Sequence, residues 1–267
     1  MSSQHSKPAA NDGIWTIGLV LGALIWLSPL LYAAWISVHP NGGPWSLANY
    51  RQAWVQGHFL GAFANSFLVA LTVTLSQTVT SVGAGYALAR LPVPGRNLWL
   101  FLAIATIAVP LPLLAVPLFT VLKWGRAIDT YGALIWPTAA SGYGIFWVRQ
   151  AVQGIPLALE EAAALDGANR WQILRYVVLP ALRPTLAVLA LFAFLAEWND
   201  LFKPLVFTTR PELQTVPLVL SSFQEQYTAD WSLLMAAVTI ATLPAIALFL
   251  VVQHQLVKGL ATTGLKG

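Results

Sequence analysis

Long uncharged runs alternate with short polar intervals along the chain, and the length of each run decides what it predicts. Residues 14–38 carry no charge, and about 20 apolar residues are what a helix needs to cross the hydrocarbon core of a bilayer. A secretory leader has a shorter apolar stretch, about 7–15 residues, so this run predicts an uncleaved membrane anchor. Residues 59–89 are also uncharged but contain Asn65, Ser66, Thr72, Thr74, Ser76, Gln77, Thr78, Thr80 and Ser81. Hydroxyls and amides are tolerated where a bundle buries them between helices, and helix–helix bonding is their expected role. The third run, 98–122, is interrupted by Pro110, Pro112 and Pro117. Proline removes an amide donor and crowds the preceding turn, so a kinked or broken helix is predicted. Such a break survives at membrane depth only where protein or a cavity satisfies the freed backbone. Runs at 131–148, 185–201 and 232–252 complete six predicted spans, with no internal repeat among them.

The longest polar interval on the side assigned to the cytoplasm is 149–183, and it is not linker-like. From Ile155 to Pro180 it reads IPLALEEAAALDGANRWQILRYVVLP. Pro156 suits a first helical turn, and 157–165 is built of strong helix formers with acids early, where the macrodipole favours them. Gly167 is expected to stop this helix, because glycine reaches the left-handed conformation of a C-cap cheaply. A second amphipathic stretch, 170–179, is expected to end at Pro180. A short rigid helix of this kind can lie in another protein's groove, lie flat among headgroups, or simply connect two spans.

Composition supports a membrane protein and removes several other classes. Hydrophobic residues make up 57% and charged residues 9% of the 267 residues, with a mean hydropathy of +0.68. A soluble domain carries about 25% charged residues, so lipid must solvate much of this chain. The net charge is +4, but the basic residues are scattered and form no phosphate-tracking patch, so nucleic acid is not an expected partner. Cysteine is absent, which excludes disulfides and thiolate chemistry. His5, His39, His58 and His254 lie too far apart for ligand spacing, so no metal site is expected. The 12 Trp suit interfacial belts and sugar-facing surfaces equally. With the N-terminus inside, Lys7, Arg90, Arg96, Arg149, Arg170, Arg175, Arg183, Lys258 and Lys266 fall on the inner side. Arg51, Lys123, Arg126, Lys203 and Arg210 then fall outside. The inner excess predicts both termini in the cytoplasm. The expected organisation is a polar N-terminus 1–13, one membrane domain 14–257 and a C-terminal tail 258–267.

Glu161-Ala162-Ala163, then Gly167, then Val177 two places before Leu179-Pro180 resembles the EAA loop of ABC importer permeases, which also precedes the penultimate span. The resemblance extends over most of the chain. Asn65-Ser66 opens the second span, and Tyr86-Ala87-Leu88-Ala89-Arg90 with Pro94-Gly95-Arg96 closes it. Asp166-Gly167-Ala168, Trp198-Asn199-Asp200, Asp230-Trp231, Met235-Ala236-Ala237 and the ending Val257-Lys258-Gly259-Leu260 to Lys266-Gly267 continue the pattern. Together these are similar to carbohydrate-uptake permeases of the maltose type, specifically the six-span partner of a heterodimeric pair. The implied fold is an all-α integral membrane protein of the type I importer class with a cytoplasmic coupling helix.

The resemblance implies an ATP-driven importer subunit in a bacterial or archaeal cytoplasmic membrane. It would form half of a sugar path with a second permease, receive cargo from an extracytoplasmic binding protein and dock on two ATPase subunits. Glu161, Ala162, Ala163, Asp166, Gly167, Leu179 and Pro180 would form the ATPase-coupling element, Glu161 pairing with a basic residue of the ATPase. The chain has no G-x-x-x-x-G-K-[ST] loop, so it is not itself the ATPase; ATP and Mg would be held by the partners, with no cofactor or catalytic residue here. Glu197, Trp198, Asn199 and Asp200 continue the fifth apolar run, and ionisable groups in a span face a cavity or a partner. They are candidates for the translocation path; Asp200 and Lys203 pairing at the outer interface is the other reading. Lys203 stands where relatives are often apolar. The outer loop 208–230 would reach the docked binding protein, and the tail 258–267 would extend toward the ATPases. Relatives importing glycerol phosphates offer a second cargo, but a phosphate needs Arg or Lys in the pore. An ion-coupled secondary transporter is the rival of a different class, normally marked by internal repeats.

Overall fold

The computed structural model describes residues 12–40, 43–226 and 230–264, and every regular element there is helical. The expectations for most of 1–13 and for 265–267 lie outside the described residues. In chain order the helices are α1 (Asp12–Ser37), α2 (Ala48–Gln56), α3 (Phe59–Arg90), α4 (Arg96–Ala105) and α5 (Ala115–Trp124). There follow α6 (Tyr131–Ile135), α7 (Gly142–Gln153), α8 (Leu157–Leu165), α9 (Arg170–Ile173) and α10 (Leu179–Trp198). The last three are α11 (Phe202–Phe207), α12 (Val216–Gln226) and α13 (Trp231–Gly264).

Four stretches are long and apolar enough to cross a membrane: Trp15–Ser37, Phe59–Arg90, Arg170–Trp198 and Trp231–Gln253. The third predicted run is broken as expected, with Arg96–Ala108 and Leu111–Trp124 bent by 93°. Pro110 and Pro112 stand at the bend, where neither supplies an amide donor.

The predicted span at 131–148 is not one helix. Five residues of α6 lead into a 3-10 turn, Trp136–Thr138, and α7 starts afresh behind an N-cap hydroxyl of Ser141 that accepts from Gly144 N–H at 3.1 Å. Pro137 inside the turn accounts for the interruption. Its carbonyls are satisfied from α3: Ser76 Oγ donates to Ala139 O at 2.8 Å and Gln77 Nε2 to Thr138 O at 2.7 Å. Thus Ser76 and Gln77 of α3 bond to a neighbouring element, while Thr78 and Thr80 return to their own helix.

A correction concerns 170–179. It is not a separate short helix ending at Pro180, because α9 passes through a π turn, Leu174–Val178, directly into α10. Leu179 N–H donates to Leu174 O, an i→i−5 bond that widens the turn just ahead of Pro180. The wider turn shifts carbonyls away from a ring that would otherwise crowd the residue four back, so the helix continues through the proline.

The chain falls into two compact units, Met1–Gln56 with Phe223–Ala241, and Gly57–Ser222 with Thr242–Gly267. Within the first, Ser37 Oγ and Tyr50 OH lie 2.7 Å apart and Asn49 Nδ2 donates to Ser37 O at 3.1 Å, tying α2 to the end of α1. Within the second, α3 packs along α7 and α10. Glycine sets the spacing there: a Cβ on Gly85 would lie 2.8 Å from Val148 Cγ1, and one on Gly142 only 1.9 Å from the Ala103 carbonyl oxygen. Small residues at such crossings let backbones approach where burial of apolar surface gives no net gain. Val82, Tyr86, Val148, Val152, Ile173, Val178 and Leu182 are among the buried residues that fill the core between these helices.

Candidate coupling site

Helix α8 is held at its root and bare on its outer side. Its end forms a Schellman cap: Gly167 N–H donates to Ala164 O and Ala168 N–H to Ala163 O, each at 3.0 Å. Gly167 has φ +88°, the left-handed conformation that glycine adopts without a Cβ penalty. Pro156 precedes the helix as its N-cap rather than occupying the first turn. Glu161, Ala162, Ala164, Leu165 and Asp166 are exposed, and Leu165 reaches 90% exposure. Leu157 and Leu159 are exposed as well. An apolar surface with two carboxylates, Glu161 and Asp166, on a helix lying between two apolar spans, is the pattern of a contact surface.

The opposite face of α8 carries a residue that sequence reasoning missed. Successive helical residues point about 100° apart, so of the adjacent Glu160 and Glu161 one turns inward and the other outward. Glu160 is buried at 2% exposure, its Oε1 2.6 Å from Arg90 Nε. Arg90 Nη2 donates to Val152 O at 2.9 Å and Ile155 O at 2.6 Å, two carbonyls at and just beyond the C-terminal end of α7, of which Val152 O also accepts from Ile155 N–H at 3.1 Å. Tyr86 OH donates to Glu160 Oε2 at 3.4 Å. The available signal was the i,i+4 spacing of Tyr86 and Arg90, which puts both on one face at the end of α3. Ala163, Ala168 and Leu179 pack on the same core cluster, so the two parts of the EAA-like pattern, separate in sequence, share one foundation. Asn169 and Gln172 add a reciprocal capping box at the start of α9.

At the far end of α10 lies a second charged cluster. Lys203, 1% exposed, sits 2.5 Å from Glu197 Oε2, donates to Thr138 Oγ1 at 2.6 Å and lies 3.4 Å from Asp200 Oδ2. Asp200 Oδ1 also accepts from Phe202 N–H at 3.0 Å. Trp198 is buried, stacked on Phe194 at 5.7 Å and edge-on to Phe67 at 4.9 Å. Asn199 is exposed and donates to Leu195 O at 2.8 Å. Of the four residues considered for a path, the structure therefore brings Glu197 and Asp200 together on Lys203, places Trp198 in an aromatic core and leaves Asn199 outward.

The segment expected to be an outer loop, 208–230, contains a 3-10 turn, Pro211–Leu213, and α12; residues 227–229 lie outside the described residues. Its start is anchored by Asp129, whose Oδ1 accepts from the backbone N–H of Thr209 and, at 3.2 Å, from that of Arg210. Asp129 Oδ2 accepts from Thr209 Oγ1 at 2.9 Å. The Thr209 backbone amide, then its hydroxyl, hold the Asp129 carboxyl below the usual carboxylate range.

Residues 81–262, more than half the chain, match the family described as binding-protein-dependent transport system inner membrane component. The chain belongs to that family. It is a multi-pass inner-membrane permease subunit, and α8 with its buried partners Arg90 and Tyr86 lies inside the matched region. The permease is 35% identical to the putative ABC transporter permease protein ORF1 of Streptomyces antibioticus, over 83% of this chain and 97% of that one. It is 29% identical to the arabinooligosaccharides transport system permease protein AraQ of Halalkalibacterium halodurans, over 94% and 95% of the two chains. In fold it is similar to a chain from the crystal structure of a bacterial ABC transporter involved in the import of the acidic polysaccharide alginate. That match has a TM-score of 0.77 at 22% identity and covers 93% of the permease and 99% of the other chain.

Proposed function

We propose that this permease forms half of the membrane path for a neutral sugar or oligosaccharide and couples it to two ATPase subunits through α8. The observation that carries the reading is a capped helix with an exposed carboxylate and leucines outside, and a buried ion pair to a membrane span inside. Glu161 pairs with a basic residue in an ATPase cleft, Ala162 permits close approach, and Gly167 sets the turn. Leu179 and Pro180 begin the span against which α8 rests, and Asp166 caps the helix. ATP and Mg bind in the ATPase subunits. Their closure draws this α8 and that of a second permease together, and ATP drives the change only through its different affinity for the two states.

Family membership and the named relatives support import with a solute-binding protein, and the names favour saccharides. A phosphorylated cargo such as glycerol 3-phosphate needs an uncommitted cation in the path; Lys203 is already matched by Glu197 and Asp200. Glu197, Trp198 and Asp200 hold the wall of the path, and the exposed Asn199 faces cargo or the second permease. Both termini lie in the cytoplasm, with the tail 258–267 directed toward the ATPases and 208–226 outside, toward the binding protein. The organisation is one permease domain, 14–257, between a polar N-terminus, 1–13, and that tail.

The test is purification of the tagged chain in detergent from its own host membranes, followed by identification of what accompanies it. A second permease and an ATPase are expected; a stable homo-oligomer without ATPase overturns the proposal.

A further inference from the structure

Helix α3 carries a polar grip at each end. At one end Asn65 Nδ2 donates to Glu212 O and Gln214 O, both at 2.8 Å, while its Oδ1 accepts from Tyr131 OH at 2.6 Å. Both amide hydrogens and the carbonyl of Asn65 are thus engaged. Next to it Ser66 Oγ accepts from Val216 N–H at 2.9 Å, at the first residue of α12. At the other end Arg90 holds Glu160 of α8 together with the carbonyls of Val152 and Ile155.

Most of the rod between the grips is stiff by composition; Gly83 and Gly85 lie in its last two turns, where Gly85 packs against Val148. Residues 67–82 contain neither glycine nor proline. Of the four long spans among the described residues, α3 is the one without proline; the others contain Pro29, Pro180 and Pro184, and Pro244. Proline is the commonest cause of a sharp kink. From Asn65 to Arg90 the helix rises about 37 Å at 1.5 Å per residue, close to the roughly 40–45 Å thickness of a bilayer with its headgroups. Ser76 and Gln77 bond the middle of the rod to the break between α6 and α7.

We infer that α3 is a transmembrane strut. It ties the segment leading into α12 to α8, so that a displacement of α8 reaches the opposite face of the membrane as movement of one rigid helix. Asn65, Ser66 and Arg90 are its positioning residues. The inference rests on the reading of α8 as the ATPase-coupling helix and of 208–226 as the outward segment. It supplies a physical connection between two distant sites, and such a connection is established only by showing that both ends respond together.

The absence of cysteine makes a direct test practical. Glu212, an exposed side chain, is replaced by cysteine and labelled with bimane in the complex purified into nanodiscs; the complex with the cysteine-free chain sets the background. Fluorescence is read before and after Mg-ATP. The strut is then softened at two outward positions that touch neither grip, Leu75 and Val79, 66% and 69% exposed. Leu75→Gly with Val79→Gly is compared with Leu75→Ala with Val79→Ala. Each glycine in place of alanine weakens the helical against the non-helical state locally by about fivefold, so the pair does so by about thirtyfold. The ATP response is expected to persist in the alanine pair and to be lost in the glycine pair and in Arg90→Gln, with membrane insertion unchanged in all. An equal response in the glycine and alanine pairs overturns the strut. So does a labelled complex that hydrolyses ATP yet shows no response at residue 212. Absence of any ATPase from the complex sinks the coupling reading instead.

Discussion

Replacing Lys203 with methionine removes the cation from its cluster while keeping most of its volume. Glu197 is 5% exposed at the side chain and Lys203 1%, so the change strands a carboxylate with no water to replace the lost partner. Removing one member of a buried pair costs about 3–5 kcal/mol, whereas replacing both with apolar groups of similar volume is often close to neutral. For a chain of this size, about 2–3 °C of melting temperature follows each kcal/mol, so Lys203→Met is expected to melt about 6–15 °C below wild type. The Lys203→Met, Glu197→Met double variant is expected to regain most of that loss, since Asp200 keeps the backbone donors of Phe202 and Lys203. Tryptophan fluorescence in detergent, at one fixed scan rate, supplies the comparison. A single variant within about 2 °C of wild type, or a double variant no better than the single, refutes the reasoning. Uptake then separates two roles for Glu197. Recovery in the double variant means that Glu197 only holds the wall, while a stable but inactive double variant means that it meets cargo.

Glu161→Lys alters an exposed carboxylate and is expected to melt within about 0.5 kcal/mol of wild type while abolishing uptake. Gly167→Pro, at φ +88°, is expected to abolish uptake while the chain still inserts. Full transport by both would show α8 to be a mere connector. Gly142→Ala places a Cβ 1.9 Å from the Ala103 carbonyl, a backbone atom that cannot swing aside; a loss of about 1–3 kcal/mol is expected, and unchanged melting would mean that α4 and α7 do not meet as described. Asp129 is held below its ordinary value in the folded chain, so its clasp is fully present above the unfolded carboxylate value, about 3.9, and is lost as pH falls through the folded one. Hydrogen-exchange protection of the Thr209 and Arg210 amides should hold from pH 7 to 5 and vanish at still lower pH; protection that survives in Asp129→Ala contradicts the clasp.

Much of α8 was legible because its signals are local. Strong helix formers followed by Asp166-Gly167 specify a helix and its cap within one stretch, and the Schellman bonds form there. Pro110 and Pro112 announced a break for the same reason. The continuation of α9 into α10 was not legible, because a π turn changes the register that makes Pro180 a stop signal. Nor was the choice between Glu160 and Glu161. Both are helix-compatible acids, and only the direction from which α3 and α7 approach decides which is buried.

The sequence by itself determined that this is a membrane protein, where most of its apolar runs lie, and which short helix ends at Gly167. Run length answers to bilayer thickness and a cap answers to its own turn, so neither needs the rest of the chain. Only the tertiary structure decided that Arg90 meets Glu160 across 70 residues, that Lys203 lies between Glu197 and Asp200, and that Asn65 holds the entry to α12. A buried charge or amide must find its partner wherever the fold brings one, because leaving it unpaired costs several kcal/mol, and that partner is set by packing rather than by spacing along the chain.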